Sequence, residues 1–160
     1  MKLHLLGEDT KMEIEVVGRS HPHCTDYWDG NWIISKISIE IPGYKAQFPA
    51  DLRTDELKGF ADGLRLMDKE LKGKAGLINL DGYLEIEGEI NWNGVIAWSV
   101  ETRYPPGDGA VLKFDFKSDQ SYLKKMIKEI DSILSVYPVI GEPGSYFINI
   151  FDFCILIKFF

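Results

Sequence analysis

Three stretches of this 160-residue sequence hold side chains whose types and spacing can do chemistry. His21-Pro22-His23-Cys24, with Asp26 just beyond, offers the imidazole, thiolate and carboxylate donors that zinc or copper takes. A structural zinc site wants four ligands at paired spacings, and the remaining donors His4 and Cys154 stand near opposite ends of the chain, so no metal is expected. TDYWDGNWI, residues 25–33, sets Trp28 and Trp32 around Asp29-Gly30-Asn31, which reads as turn chemistry clamped by two large anchors. The same aromatics, with Trp92, can also stack on a sugar ring while Asp29 and Asn31 bond its hydroxyls. In YLEIEGEI, residues 83–90, Glu85, Glu87 and Glu89 alternate with Leu84, Ile86 and Ile90 and so share the outer face of one strand. On the next strand that face carries Ala97, Ser99 and Glu101, and Lys113 and Lys117 one strand further on neutralise part of the stripe. A negative stripe steers a cationic partner.

Catalytic signatures are missing: there is no Gly-x-Ser-x-Gly elbow, no Walker lysine loop and no His-Glu-x-x-His helix. The expectation is a non-enzymatic protein without a cofactor. A small enzyme built on the His21 to Asp29 loop is the rival reading. Eighteen Lys and Arg against 25 Asp and Glu give a net charge of -7, which argues against nucleic acid, whose phosphates must be met by cations. Acid precedes any apolar run long enough for a signal sequence, and two cysteines give no disulfide framework, so the cytoplasm is the expected location.

The elements that position these residues follow from periodicity. KLHLL and MEIEVV form a hairpin-like start, and in WIISKISIEI the residues Ile33, Ser35, Ile37, Ile39 and Ile41 fall on one face of a half-buried strand. YKAQF should return antiparallel and stop before Pro49. From Thr54, as N-cap, to about Leu71, the residues Leu57, Phe60, Ala61, Leu64, Met67 and Leu71 recur at helical spacing. GLINL, YLEIEGEI, GVIAWSVETR and AVLKFDF then read as an antiparallel meander. A three-residue loop with Gly94 left-handed pairs Ile90 with Ile96, Gly88 with Trp98 and Ile86 with Val100, so inward side chains meet. Ser118 or Asp119 caps a second helix with Leu123, Met126, Ile127, Ile130, Ile133, Leu134 and Tyr137 as its stripe.

The fold class is therefore α+β: an antiparallel β-rich sandwich or curled sheet with two amphipathic helices. The two halves share their order of elements without a residue-level repeat. The tail YFINIFDFCILIKFF is 15 residues with Asp152 and Lys158, too short and too charged to span a bilayer as a helix.

DYWDGNWI at 26–33 and SDQSYL at 118–123, with DELKGFADGLRLM and the acidic YLEIEGEI strand between them, resemble the bacterial WapI-type immunity proteins from about residue 12 to 141. The resemblance implies one immunity-type domain over residues 1–144, with 145–160 outside it as a lineage-specific strand or a frameshifted end. It also implies protection of the host by binding the C-terminal domain of a cognate toxin, usually basic and nuclease-type. The acidic composition fits such a partner, and the contact candidates are Glu85, Glu87 and Glu89, with Asp26, Asp29 and the edge of Trp28 as a second patch. A carbohydrate-binding module using Trp28, Trp32 and Trp92, or a structural or interaction domain, is the alternative. His21-Pro22-His23-Cys24 is not part of the family pattern, and nothing in the sequence fixes the oligomeric state.

Overall fold

A computed structural model gives the architecture and describes residues 1–144; the expectations for residues 145–160 lie outside the described residues. The chain folds as two successive four-stranded antiparallel meanders, each followed by a helix. The first comprises β1 (Lys2–Leu6), β2 (Lys11–Arg19), β3 (Trp32–Ile41) and β4 (Tyr44–Arg53), in that spatial order, and then α2 (Thr54–Glu70). The second comprises β5 (Gly73–Ile78), β6 (Leu84–Ile90), β7 (Val95–Tyr104) and β8 (Ala110–Asp119), and then α3 (Ser121–Val136). A one-turn helix, α1 (Tyr27–Gly30), sits between β2 and β3.

Alternation decides which face each strand buries. Ile33, Ser35, Ile37 and Ile39 point inward from β3, and Leu84, Ile86, Gly88 and Ile90 from β6, as period 2 requires. Both sheets and both long helices feed one continuous apolar core. The expected register of β6 with β7 holds, with Ile90 opposite Ile96, Gly88 opposite Trp98 and Ile86 opposite Val100. Gly94 has φ +80°, the left-handed conformation a three-residue hairpin loop needs at its last position.

Several expectations are corrected. Pro49 does not end its strand: β4 runs through it to Arg53, because β4 is a sheet edge and a proline there forfeits no ladder bond. Thr54 is the first residue of α2 and Arg53 is its N-cap, with Glu56 at N3 accepting the Arg53 backbone N–H at 3.0 Å. Leu71 leaves the apolar stripe. It is the left-handed C-cap of α2, φ +50°, and stands exposed. The second long helix starts at Ser121 after Gln120; Asp119 still satisfies an end amide, accepting the Ser121 N–H at 2.8 Å.

Side chains close the gaps between the units. His4 on β1 sets Nδ1 2.9 Å from Glu129 of α3 and Nε2 3.1 Å from Glu13 of β2, and its backbone N–H donates to Glu129 at 2.8 Å. Buried Asn79, just after β5, donates to the Asp51 carbonyl of β4 at 3.0 Å and to Glu56 at 3.1 Å, while the Leu80 N–H donates to Glu56 at 2.7 Å. Glu56 thereby ties the first helix to the second sheet.

Burial pushes the Glu56 carboxyl up to about 7, against the Leu80, Asn79 and Arg53 N–H donors that favour its charged form. A carboxyl held above its unfolded value of 4.5 binds its proton more tightly when folded, so its contribution is fully present below pH 4.5 and lost as the pH rises to about 7. The expected result is a fall in unfolding free energy across that window, of up to about 1.4 kcal/mol per pH unit from this group. Urea midpoints of the wild type and Glu56→Gln at pH 5, 6, 7 and 8 check it. The glutamine variant should be less stable throughout yet show a flatter profile, and parallel profiles would refute the assignment.

Candidate functional site

The aromatic stretch before β3 is organised from Asp26. Its carboxylate accepts the N–H groups of Trp28 and Asp29, each at 2.9 Å, which caps α1 and converts the expected turn into one helical turn. Those backbone donors, the Asp29 N–H first, hold the Asp26 carboxyl below the usual carboxylate range.

The turn of helix delivers Tyr27, Trp28 and, at the start of β3, Trp32 around a single side chain that the sequence reading passed over. Arg53, at 2% exposure, lies with Cζ 5.1 Å from the Tyr27 ring centroid, 5.4 Å from Trp28 and 5.1 Å from Trp32. Its guanidinium donates to the Trp28 carbonyl at 2.7 Å, to the Tyr27 carbonyl at 3.0 Å and to Asp55 at 2.9 Å. The Tyr27 hydroxyl donates to the other Asp55 oxygen at 2.8 Å. A buried guanidinium needs planar partners and acceptors on every edge, and this cage supplies both.

Asn31, fully buried, locks the arrangement from the other side. Its amide donates to the carbonyls of Tyr27 and Ile140 at 2.8 and 2.9 Å, and its oxygen accepts from the Thr54 hydroxyl and the Ile140 N–H, both at 2.8 Å. Arg19 donates to the carbonyls of Gly30 and Pro138. TDYWDGNWI is thus a structural junction joining β3, the start of α2 and residues 138–140. Arg53 covers one face of each of the Trp28 and Trp32 indoles.

The donor atoms of Cys24, Asp26 and Asp29 come within 4.8 Å of one another, whereas His21 and His23 are not part of that group. Asp26 already spends one oxygen on the helix cap, which leaves a thin, exposed ligand set.

Glu85, Glu87 and Glu89 stand exposed on the outer face of β6, as alternation requires. The structure adds a cation that the sequence reading did not pair with them. Lys74, opposite Glu89 on β5, reaches Glu87 at 3.1 Å and Glu89 at 3.4 Å, and these contacts raise its pKa. On the other side Glu85 faces Glu101, an unfavourable pairing of like charges moderated by Lys113 at 2.8 Å and Arg103 at 3.7 Å from Glu101. Between Glu87 and Glu89 on one side and Asp115 and Lys117 on the other, the small residues Ala97 and Ser99 leave a depression of about 550 Å³. The face is charged and mixed in sign, with its carboxylates concentrated along β6. Asp26, Asp29 and Trp28 belong to α1 and its cap, so the two candidate patches rest on different sheets.

The candidate groups present charge on the outer face of β6 and aromatic side chains around α1.

No curated protein matches the sequence. Among solved structures the chain is similar to MRP1/MRP2 of Trypanosoma brucei, with 7% identity and a TM-score of 0.46, covering 84% of this chain and 82% of that one. It is also similar to the plant transcriptional regulator PBF-2, with 8% identity, a TM-score of 0.47, and 86% and 81% of the two chains covered. WHY3 from Arabidopsis thaliana gives 9% identity, a TM-score of 0.43, and 84% and 86% coverage. The Immunity protein WapI-like family matches residues 4–138, which run from within β1 through α3 and include α1 with its aromatic cage, and the chain belongs to that family.

Proposed function

We propose that this protein is a non-enzymatic immunity protein that works in the cytoplasm by binding the C-terminal domain of a cognate toxin, one to one, and covering a basic surface on it. The observation that carries this reading is the family match over residues 4–138. The net charge of -7 supports it, because a protein of that sign is drawn to the cationic surface with which a nuclease holds its substrate. Glu85, Glu87 and Glu89 present carboxylates in a row on a rigid strand, a geometry that speeds encounter with such a surface. Asp26, Asp29 and Trp28 form a second, smaller candidate patch.

The test is co-expression with the variable C-terminal domain of a large exported protein sought among the genes neighbouring this one, followed by titration of the purified pair. Rescue of growth with one-to-one co-purification is the expected result. The variant Glu85→Lys with Glu87→Lys should slow association about tenfold or more at low salt and flatten its salt dependence, since steering decays with the Debye length. Unchanged association kinetics in that variant would remove the acidic stripe from the interface. Killing that proceeds despite expression of this protein would remove the immunity reading itself.

A further inference from the structure

The second sheet ends at β8, and along the outer edge of that strand the backbone has groups to spare. The Gln120 N–H donates to the Gly94 carbonyl at 3.0 Å, which fixes the phase of the ladder. Even-numbered residues of β8 exchange bonds with β7, and odd-numbered ones turn their N–H and C=O groups away from the sheet. Val111, Lys113 and Asp115 find no backbone partner on that side among the described residues. At Lys117 the edge is already occupied, because a Cβ on Gly7 of the β1–β2 turn would fall 2.9 Å from the Lys117 carbonyl oxygen. The sheet's other edge is backed by α2, whose Gly63 lies so close to β5 that a Cβ there would fall 3.0 Å from the Ala75 Cα.

The side chains of the open run are self-complementary. Leu112, Phe114 and Phe116 face inward and pack against the core, yet all three are only half-buried. Lys113 and Asp115 stand exposed on the outer face. On either side of Phe114 comes a charge and then an apolar residue, and the two charges are opposite. A second β8 laid antiparallel with Phe114 opposite Phe114 therefore sets Leu112 opposite Phe116 and Lys113 opposite Asp115, twice over. Lys113 and Asp115 are also the residues with outward backbone groups, so each such pair exchanges two N–H to carbonyl bonds.

Other registers fail. Centring the pair on Lys113 or on Asp115 sets that residue against its own copy, like charge against like. Centring it on Phe116 restores opposite charges but runs the second strand through the Gly7 turn.

We propose that two copies of this protein pair edge to edge through β8, about a two-fold axis at Phe114, and so join their second sheets into one of eight strands. The net charge of -7 on each copy opposes approach, but at physiological ionic strength that field is screened beyond about 8 Å, whereas the Lys113–Asp115 pairs act at contact. Each copy spends the same edge on the other, so assembly closes at two. The bonded run is short, which makes the pair a weak one. Its existence does not depend on the toxin-binding reading.

Sedimentation of the full chain from about 10 µM to about 1 mM reads the association, and amide exchange over the same range locates it. The wild type should dimerise within that range, with the Lys113 and Asp115 amides exchanging several-fold more slowly at its top than at its bottom. Lys113→Asp alone and Asp115→Lys alone each set like charges opposite one another at both pairs, and each should weaken dimerisation about tenfold at little cost in melting temperature. Mixed one to one, the two variants regain opposite charges at both pairs and should form a heterodimer of wild-type strength, which a fault within either chain cannot produce. A wild type that stays monomeric throughout the range overturns the proposal, as does a dimer in which the Lys113 and Asp115 amides exchange as in the monomer. Single variants that dimerise like the wild type, or a mixture no stronger than its parts, overturn the axis at Phe114. Should either variant fail to fold, the wild-type exchange measurement decides alone.

Discussion

Replacing Arg53 with alanine is expected to cost about 3–5 kcal/mol of folding free energy, the range for breaking a buried ion pair from one side. The guanidinium is 2% exposed, and its removal takes one donor from each of the Tyr27 and Trp28 carbonyls, leaves Asp55 without its cation, and leaves three aromatic rings facing a void. Urea unfolding at pH 7.5 reads the loss as a lowered midpoint with an unchanged slope. Lysine should recover little, because an ammonium cannot reach two carbonyls and a carboxylate in one plane. Methionine separates the two contributions, since it refills the cage without charge. If it restores wild-type stability, packing and not the charge network holds this junction. An alanine variant within about 0.5 kcal/mol of wild type, the spread of ordinary surface changes, would show that the cage is not a structural element at all.

The second large effect is expected at the opposite sheet. Gly88 sits directly across from Trp98, and a Cβ built there would fall 2.3 Å from the indole, well inside contact distance. The indole is 2% exposed, stacks on Phe116 at 6.2 Å and donates its N–H to the Ser118 hydroxyl at 2.7 Å, so it has nowhere to retreat. Trp98→Ala should cost about 3–5 kcal/mol through the cavity it opens. Gly88→Ala should cost about 2–3 kcal/mol through overpacking. The decisive measurement is their double mutant. With the indole gone the new methyl finds room, so Gly88→Ala should be nearly neutral in the Trp98→Ala background, giving a coupling energy of about 2 kcal/mol. Additive costs would mean that Gly88 is required for its backbone and not for the space it leaves.

That pair also shows what the sequence makes legible. Gly88 opposite Trp98 follows from alternation and from a loop length that only one register satisfies, because a slip by one residue would carry Glu89 inward. The two meanders, the two long helices and the outward row of Glu85, Glu87 and Glu89 are legible for the same reason: period 2 and period 3.6 are written in residues close together in the chain. The Arg53 cage is not. Its members come from residues 27, 28, 32 and 53, and nothing local distinguishes an arginine that will be buried by aromatics from one that will be solvated. Lys74 escaped for a related reason, since it lies on the neighbouring strand that was not set beside the stripe. Helix α1 is a single turn, below the length at which periodicity speaks, and only Asp26 as a cap marks it. Leu71 fits the helical spacing and fails in space because the helix stops one residue earlier.

The first sheet, among the described residues, also has a blocked backbone position on each border. At β1 the outward His4 amide is taken by the Glu129 carboxylate, and at β4 Pro49 has no amide to offer. A foreign extended segment therefore meets an interruption at each border that works against propagating the ladder. For a chain whose strands are dense in isoleucine, that is protection against templated polymerisation when the protein is held at high concentration. It also shifts recognition on this half toward side chains, with shape and charge favoured over the sequence-blind backbone.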